Sequence, residues 1–410
     1  MPAVLESSAR GLNYVVSIPL AVWGIALAVE QSERPTRRRF VGLALLALAL
    51  FYLHLNGFIV FAGGAALVTW LLPPVDRPRP LEWRLAWLAP AALAATAFVF
   101  TSTVTHPEQA QGAHAGVVRF SPLLHLLRGL PAWMHDFWRS RGDDVLAAVG
   151  WLALASLLVG RVKQGTDEAR RRIAGASLFV FAVVLYFFLP SQVGFAFILD
   201  ARNATFVGLF ATLLVPARSE ARSRIPLTAM TAAAALLALH AAWQMHAYDR
   251  DEARDFDEVL RNLPRGKRLL TLVFTRRSAY TQVSPFVHFG AYYRIRYGGV
   301  ASFSFAELPH WPVQYRPEEA PPAKKIVFWD WSPCLYRNSV DGPYYDFVLS
   351  RGDVDPFASD PPGPRWRAIG GASEWRLWAR EKGATNPGDP RDDRGPCHVE
   401  DEAERRGKDD

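Results

Sequence analysis

Long apolar blocks separated by short arginine-rich pieces fill the first 245 or so residues, and beyond His246 apolar, polar and aromatic positions mix at short range. The blocks are Asn13–Ala28, Phe40–Leu72, Leu85–Phe100, Val145–Gly160, Ile173–Pro190, Ala204–Ala217 and Ile225–Met245. A run of about 20 apolar residues spans a bilayer as a helix. The serial blocks and their basic connectors therefore predict membrane helices rather than buried helices of a soluble core. The connectors are Arg37-Arg38-Arg39, the group Arg77, Arg79 and Arg84, the stretch Arg161–Arg172, and the group Arg218, Arg222 and Arg224. Short loops rich in Lys and Arg stay cytoplasmic.

The 33-residue run Phe40–Leu72 has basic loops at both ends. One helix of that length would reach about 50 Å at ~1.5 Å per residue, too long for a core of about 30 Å. The expectation is a tight helical hairpin with its apex at His54-Leu55-Asn56-Gly57 and its turn at Gly57. The fold class expected is thus an α-helical polytopic membrane domain of about eight spans, residues 1–245, followed by a small soluble α/β domain, residues 246–382, and a disordered tail, residues 383–410. The loops Thr101–Asp144 and Ser191–Asn203 and the C-terminal domain fall on the exoplasmic side. The N-terminus falls there too, without a cleavable signal in Met1–Leu12, so crossings upstream of Met1 are expected.

In the polar region, Phe256, Val259, Leu260 and Leu263 mark one face of a helix over Asp251–Leu263 that ends at Pro264. Leu269–Phe274, Ile326–Trp329 and Tyr345–Leu349 have strand length and composition. Pro285–Tyr297 reads as a second helix closed by Gly298-Gly299. Trp366–Ile369 and Glu374–Ala379, separated by Gly370-Gly371, read as a terminal hairpin. The alternation predicts a small α/β sandwich with part of its sheet parallel.

Overall composition changes this picture little. Half the residues are hydrophobic, 21% are charged, and mean hydropathy is +0.04, an average over two unlike halves. The net charge of +7 and pI near 9.5 come mostly from the inter-block arginines, which point to membrane lipids as partners and not to nucleic acid. The two cysteines, Cys334 and Cys397, both lie in the exoplasmic region, where a disulfide can form.

Several polar residues stand out. His54 and Asn56 sit at the expected hairpin mouth, where they either serve the turn or contact a ligand. Asp200 and Arg202 enter the block that follows; a guanidinium there either pairs with Asp200 or binds phosphate through its fork. His288 and Tyr292, four apart, would share a helix face and line an acceptor site or a packed cluster. The loop Thr101–Asp144 holds His106, Glu108, His114, His125, His135 and Asp136 without metal-site spacing, so no metal is expected. Its leucines interleave with His125 and Arg128 as an amphipathic segment in the headgroup plane, interrupted at Pro131. No G-x-G-x-x-G or Walker-type run and no hydrolase triad is present, and no cofactor is expected.

The His54 apex, the Asp200-Ala201-Arg202 helix entry and the C-terminal α/β domain together resemble the C-terminal two-thirds of the GT-C-type membrane glycosyltransferases. These include the protein O-mannosyltransferase and aminoarabinose-transferase relatives. The stretches Tyr345-Asp346-Phe347-Val348-Leu349, Trp366-Arg367-Ala368-Ile369 and Trp375-Arg376-Leu377-Trp378 resemble the closing strands of their soluble domains, so the likeness covers most of residues 12–380. It implies transfer of a sugar from a polyprenyl-phosphate donor to an exoplasmic acceptor, with His54 and Asn56 near donor or sugar and Arg202 near the phosphate. That family carries its catalytic carboxylate in a first exoplasmic loop, which has no counterpart here. The alternative is a non-catalytic scaffold or lipid-handling component of envelope polysaccharide assembly.

Overall fold

A computed structural model describes residues 11–73, 80–105, 118–135, 137–158, 166–193, 196–215, 224–282, 284–302, 304, 315–316, 318, 333–358 and 361–387. The chain divides into two units, Met1–Ala241 and Ala242–Asp410.

The first unit is helical: α1 (Gly11–Glu33), α2 (Arg37–Leu53), α3 (Leu55–Leu71), α4 (Leu81–Leu85), α5 (Ala89–Thr105), α6 (Leu123–Met134), α7 (Gly142–Leu158), α8 (Thr166–Phe188), α9 (Ala204–Thr212) and α10 (Arg224–Tyr248). Three two-residue strands, β1 (Val118–Arg119), β2 (Gln192–Val193) and β3 (Ala196–Phe197), pair antiparallel in that order.

The expectation of eight crossings is overturned. Among the described residues, two helices are long and apolar enough to cross a bilayer, the 21-residue Glu168–Phe188 and the 38-residue Arg224–Arg261. The reason is that most of the other blocks yield helices too short to span. Three of them give the four helices of 17 residues, α2 and α3, α5, and α7, each only about 26 Å long at ~1.5 Å per residue. The block from Ala204 yields nine residues of helix. In the other direction, the change of composition at His246 does not stop α10. The backbone passes through a π-helical turn at Asp249–Ala253 straight into α11 (Arg254–Arg261).

The Phe40–Leu72 run does break into two helices, but at His54, which is extended with φ −163° and ψ 109°. Its imidazole caps the next helix: Nδ1 accepts from the Gly57 amide at 3.4 Å. Gly57 therefore lies inside α3, not in a turn. Its role is close approach: a Cβ there would sit 2.7 Å from both Cβ and Oγ of Ser17 on α1. Further along the same contact, Gly64 packs on Ile25, and Gly24 of α1 packs on Phe61. Small residues let the two backbones meet. We expect Gly57→Leu to force α1 and α3 apart and cost about 1–3 kcal/mol, read as a lowered thermal midpoint of the purified chain, with Gly42→Leu, where an added Cβ meets no atom within 4 Å, as the neutral control.

Arg84 is a second departure. Although grouped by sequence with topogenic loop charges, it is buried. Its guanidinium donates to Ser32 Oγ at 2.8 Å, to the Thr69 carbonyl and to the Leu72 carbonyl at 3.1 Å. It thereby satisfies carbonyls left open at the C-terminal end of α3.

The second unit holds a mixed five-stranded sheet of order β5-β4-β6-β8-β7. Its strands are β4 (Arg268–Val273), β5 (Val300–Ala301), β6 (Phe347–Arg351), β7 (Gly363–Ala372) and β8 (Trp375–Asn386). β5, β4 and β6 are parallel, and β8 and β7 close the sheet antiparallel. β4 reads as an unbroken apolar run because both its faces are covered. Leu269 and Val273 pack with Phe256, Val259 and Leu260 of α11, while Leu270 and Leu272 pack with Tyr336, Tyr345 and Trp378. The hairpin turns at Ser373-Glu374, with Ser373 at φ 48°; Gly370 and Gly371 lie inside β7, next to a register shift after Ala368. β8 extends to Asn386, past the expected end of the domain at residue 382. The expected strand Ile326–Trp329 and residues 388–410 lie outside the described residues.

Candidate functional site

Two of the residues singled out by sequence meet in the helical unit. Arg202 Nη1 lies 3.4 Å from His54 Nε2, across 148 residues of sequence. His54 holds this position because its other ring nitrogen caps α3. Burial first, and the Arg202 guanidinium second, hold its pKa down to about 4, so the imidazole is neutral at pH 7.

Arg202 is placed by the loop before it. Ile198 sits at φ 61°, a left-handed conformation that a β-branched residue rarely adopts. Its amide donates to the Ser191 carbonyl at 2.5 Å, and the Leu199 amide donates to the same oxygen at 3.2 Å. This knot turns the chain into a single 3₁₀ turn, Ala201–Asn203, capped by Asp200. The Asp200 carboxylate is 2% exposed and committed on both oxygens. Oδ1 accepts from the Ala201 amide at 2.7 Å, and Oδ2 accepts from Ser121 Oγ at 2.6 Å. Asp200 is thus a positioning residue for the Arg202 turn. Strain concentrated beside a polar pair is a signature of functional loops.

Two buried amide atoms belong to residues close in sequence to this pair. Asn56 Nδ2 and Asn203 Oδ1 have no hydrogen-bond partner among the described residues. Asn203 is fully buried and Asn56 is 5% exposed, and Asn203 Nδ2 is spent on the Leu199 carbonyl at 2.8 Å. A buried donor or acceptor left open costs about 1–3 kcal/mol, which a ligand or water would recover. Ser121 and Asn203 were not foreseen. Nothing in spacing ties residue 121 to residue 200, whereas Asn203, next to Arg202, was open to notice.

In the sheet unit, His288 stands at φ 72°, ahead of α12 (Gly290–Tyr297) and not on it. The helix begins at Gly290, whose backbone lies against Thr271 Oγ1 and leaves no room for a Cβ. The helical i, i+4 face expected for His288 and Tyr292 therefore does not form. Tyr292 is 45% exposed, with the Arg296 guanidinium 5.8 Å from its ring centre. Its neighbour Tyr293 is the core residue, donating to the Pro264 carbonyl at 2.5 Å and accepting from the Lys267 amide at 2.9 Å. An open cleft of about 250 Å³ lies elsewhere in this unit, lined by Phe357, Pro361, Pro364, Arg365, Trp366 and Glu381.

His106, Glu108, His114 and Asp136 lie outside the described residues. Among the described residues no three of His, Cys, Asp or Glu converge as a metal site. Cys334 is disulfide-bonded; the sequence holds one other cysteine, Cys397, which lies outside the described residues. Comparison with protein-family models, with curated proteins and with solved structures finds no match.

Proposed function

We propose that this is a membrane glycosyltransferase-like protein whose helical unit binds the phosphate of a lipid-linked sugar donor at Arg202 and His54. The observation that carries the reading is the 3.4 Å approach of the Arg202 guanidinium to a neutral imidazole. A guanidinium can grip a phosphate through its fork, and His54 would add a hydrogen bond whose strength grows if the anion draws a proton onto it.

A membrane setting is supported by what the helices expose. The most apolar window of Glu168–Phe188 is 28% buried and that of Arg224–Arg261 only 6%, unlike the central helix of a soluble protein. Leu45, Trp70, Leu152, Phe188 and Leu239 each expose more than half of their surface, and apolar exposure on this scale implies a nonaqueous neighbour. Arginine before the second of these helices favours a cytoplasmic start and an exoplasmic sheet unit. A disulfide at Cys334 agrees with an oxidising compartment. On that basis, a thiol reagent should modify Cys334 in intact cells only after reduction; modification of native protein without a reductant would argue against the exoplasmic placement.

Transfer of the sugar would need a base to deprotonate the acceptor hydroxyl. Asp200 does not suit that role, since both its oxygens are engaged. That favours donor binding without transfer as the second reading. The test is direct. The full chain in nanodiscs, given polyprenyl phosphate with a photoreactive tag, should be labelled near Arg202 and protected by untagged lipid. Labelling unaffected by competitor would refute the site, and turnover of a sugar-loaded donor would decide between transfer and binding alone.

A further inference from the structure

We infer that the segment Val118–Met134 is an interfacial arm that docks on an anionic lipid leaflet and sets the depth of the Arg202 turn. The inference rests on the phosphate-lipid reading of Arg202 for its second half only. The arm begins with β1, passes through Ser121 and Pro122, and continues as α6. Its inner face is fixed in the helical unit. Leu126 is buried, its carbonyl accepts from the Tyr186 hydroxyl at 2.7 Å, and Met134 packs where Gly208 leaves room.

The outer face has no such covering. Leu123, Leu124 and Leu127 are 63%, 56% and 53% exposed, and Phe120 just before them is 64% exposed. Residues 123, 124, 127 and 131 fall on one stripe at ~100° per residue. Pro131 does not interrupt this helix, contrary to the sequence expectation; it removes one amide donor and leaves the stripe intact. Exposed Arg128 borders the stripe, exposed His125 lies further round the helix on the same side, and Arg119 is exposed upstream. An apolar stripe edged with basic side chains matches the boundary between acyl chains and anionic headgroups. A purely lipid-buried helix would not carry that edge, and a water-facing one would not carry the leucines.

The arm reaches the site through one contact. Ser121 Oγ donates to Asp200 Oδ2, whose partner oxygen caps the turn bearing Arg202. β1 also pairs with β2 at Val118–Val193 and Arg119–Gln192, just after Ser191, whose carbonyl closes the Ile198 knot. Whatever depth the arm takes in the leaflet is therefore imposed on Arg202, which would lie at the phosphate level of the same leaflet.

Spin labels at positions 124, 127 and 125, one at a time, in full-length protein in nanodiscs test the docking. The expected result is preferential collision with oxygen at 124 and 127 and with a polar nickel chelate at 125, with the oxygen preference stronger in an equal phosphatidylcholine–phosphatidylglycerol mixture than in phosphatidylcholine alone. Chelate-dominated collision at all three positions would overturn the inference. Leu124→Ser with Leu127→Ser changes only exposed side chains, so folding is retained, and a label at 125 should become more water-accessible; no change there would count against docking. Polyprenyl-phosphate labelling is read in parallel. If the labels sit in lipid but Arg202→Ala leaves donor labelling intact, the phosphate reading fails while the docking stands; if donor labelling needs Arg202 but the spin labels sit in water, the docking fails alone.

Discussion

Arg202→Ala should reduce the affinity of the full-length chain for polyprenyl phosphate about ten- to a hundredfold, the equivalent of roughly 1.5–3 kcal/mol for a charge-assisted hydrogen bond. Arg202→Lys should recover part of the loss, because charge survives but the planar fork does not. The measurement is competition of photolabelling across a donor titration, with the thermal midpoint as a folding check. The pH dependence gives an independent sign. In the unliganded fold, burial and Arg202 hold the His54 pKa to about 4, below its ordinary value of about 6.5. That contribution to stability is complete above pH about 6.5 and is lost as pH falls towards 4. A bound phosphate opposes both causes by favouring the imidazolium, so the bound-state pKa is higher, and affinity should rise as pH falls through it. His54→Gln should flatten the rise while leaving the Arg202 effect in place. Affinity independent of Arg202, or of pH in wild type and variant alike, would remove phosphate binding from this pair.

How much of this was legible beforehand varies with the physics involved. Patterns that depend on local burial were readable. Phe256, Val259 and Leu260 do share the buried face of α11, and Leu263 just beyond it joins the same core, while Leu269–Val273 of the Leu269–Phe274 run does become a strand covered on both sides. The polar break at His54 does end a helix. The eight-span count failed because most blocks yield helices shorter than a bilayer needs: Phe40–Leu72 divides at His54 into two helices of 17 residues, and the block from Ala204 gives nine. The extended backbone at His54 and the short turns around Ala86–Leu88 and Ala201–Asn203 shorten helices without changing composition. Block boundaries also mislead where a polar stretch is still a good helix former, as at Asp249–Ala253.

The candidate site shows the same division. His54 and Arg202 could be nominated singly, since polar residues flanking apolar blocks are conspicuous. That they meet could not be read, because the contact depends on where α3 and the Asp200 turn pack. The role of Asp200 is tertiary as well: the acid two residues from Arg202 turns away to hold Ser121 and its own helix cap. Arg84 makes the converse point. As a charge in a basic loop it appeared topogenic, yet three acceptors on α1 and at the end of α3 draw it inside.

The second large effect concerns Asn338, which sequence inspection passed over. It is 1% exposed and uses both ends of its amide. Nδ2 donates to the carbonyls of Pro361, Pro362 and Pro364 at 3.3, 3.0 and 3.0 Å. Oδ1 accepts from Tyr336 Oη at 2.9 Å and from Trp366 Nε1 at 2.7 Å. Prolines lack an amide donor, so the segment Pro361-Pro362-Gly363-Pro364 enters β7 with four carbonyls and a single backbone N–H, that of Gly363; the side-chain amide of Asn338 supplies what a strand would. Asn338→Leu removes the amide while leaving a buried indole N–H and several carbonyls to find partners, at about 1–3 kcal/mol for each group left open. The expected loss is about 3 kcal/mol or more for the sheet unit, a drop of several degrees or more in its thermal midpoint. Asn338→Asp is the sharper variant, since it keeps the acceptor for Tyr336 and Trp366 but sets a carboxylate oxygen against three carbonyls; it should be at least as damaging as Leu. The cleft should change with it, because Trp366, Pro361 and Pro364 form its wall and Trp366 stacks on Phe357 at 5.4 Å. Tryptophan emission should shift to the red as Trp366 loses its anchor. A midpoint within one degree of wild type for both variants would mean that the proline carbonyls find water instead, and Asn338 would be no more than one contact among many.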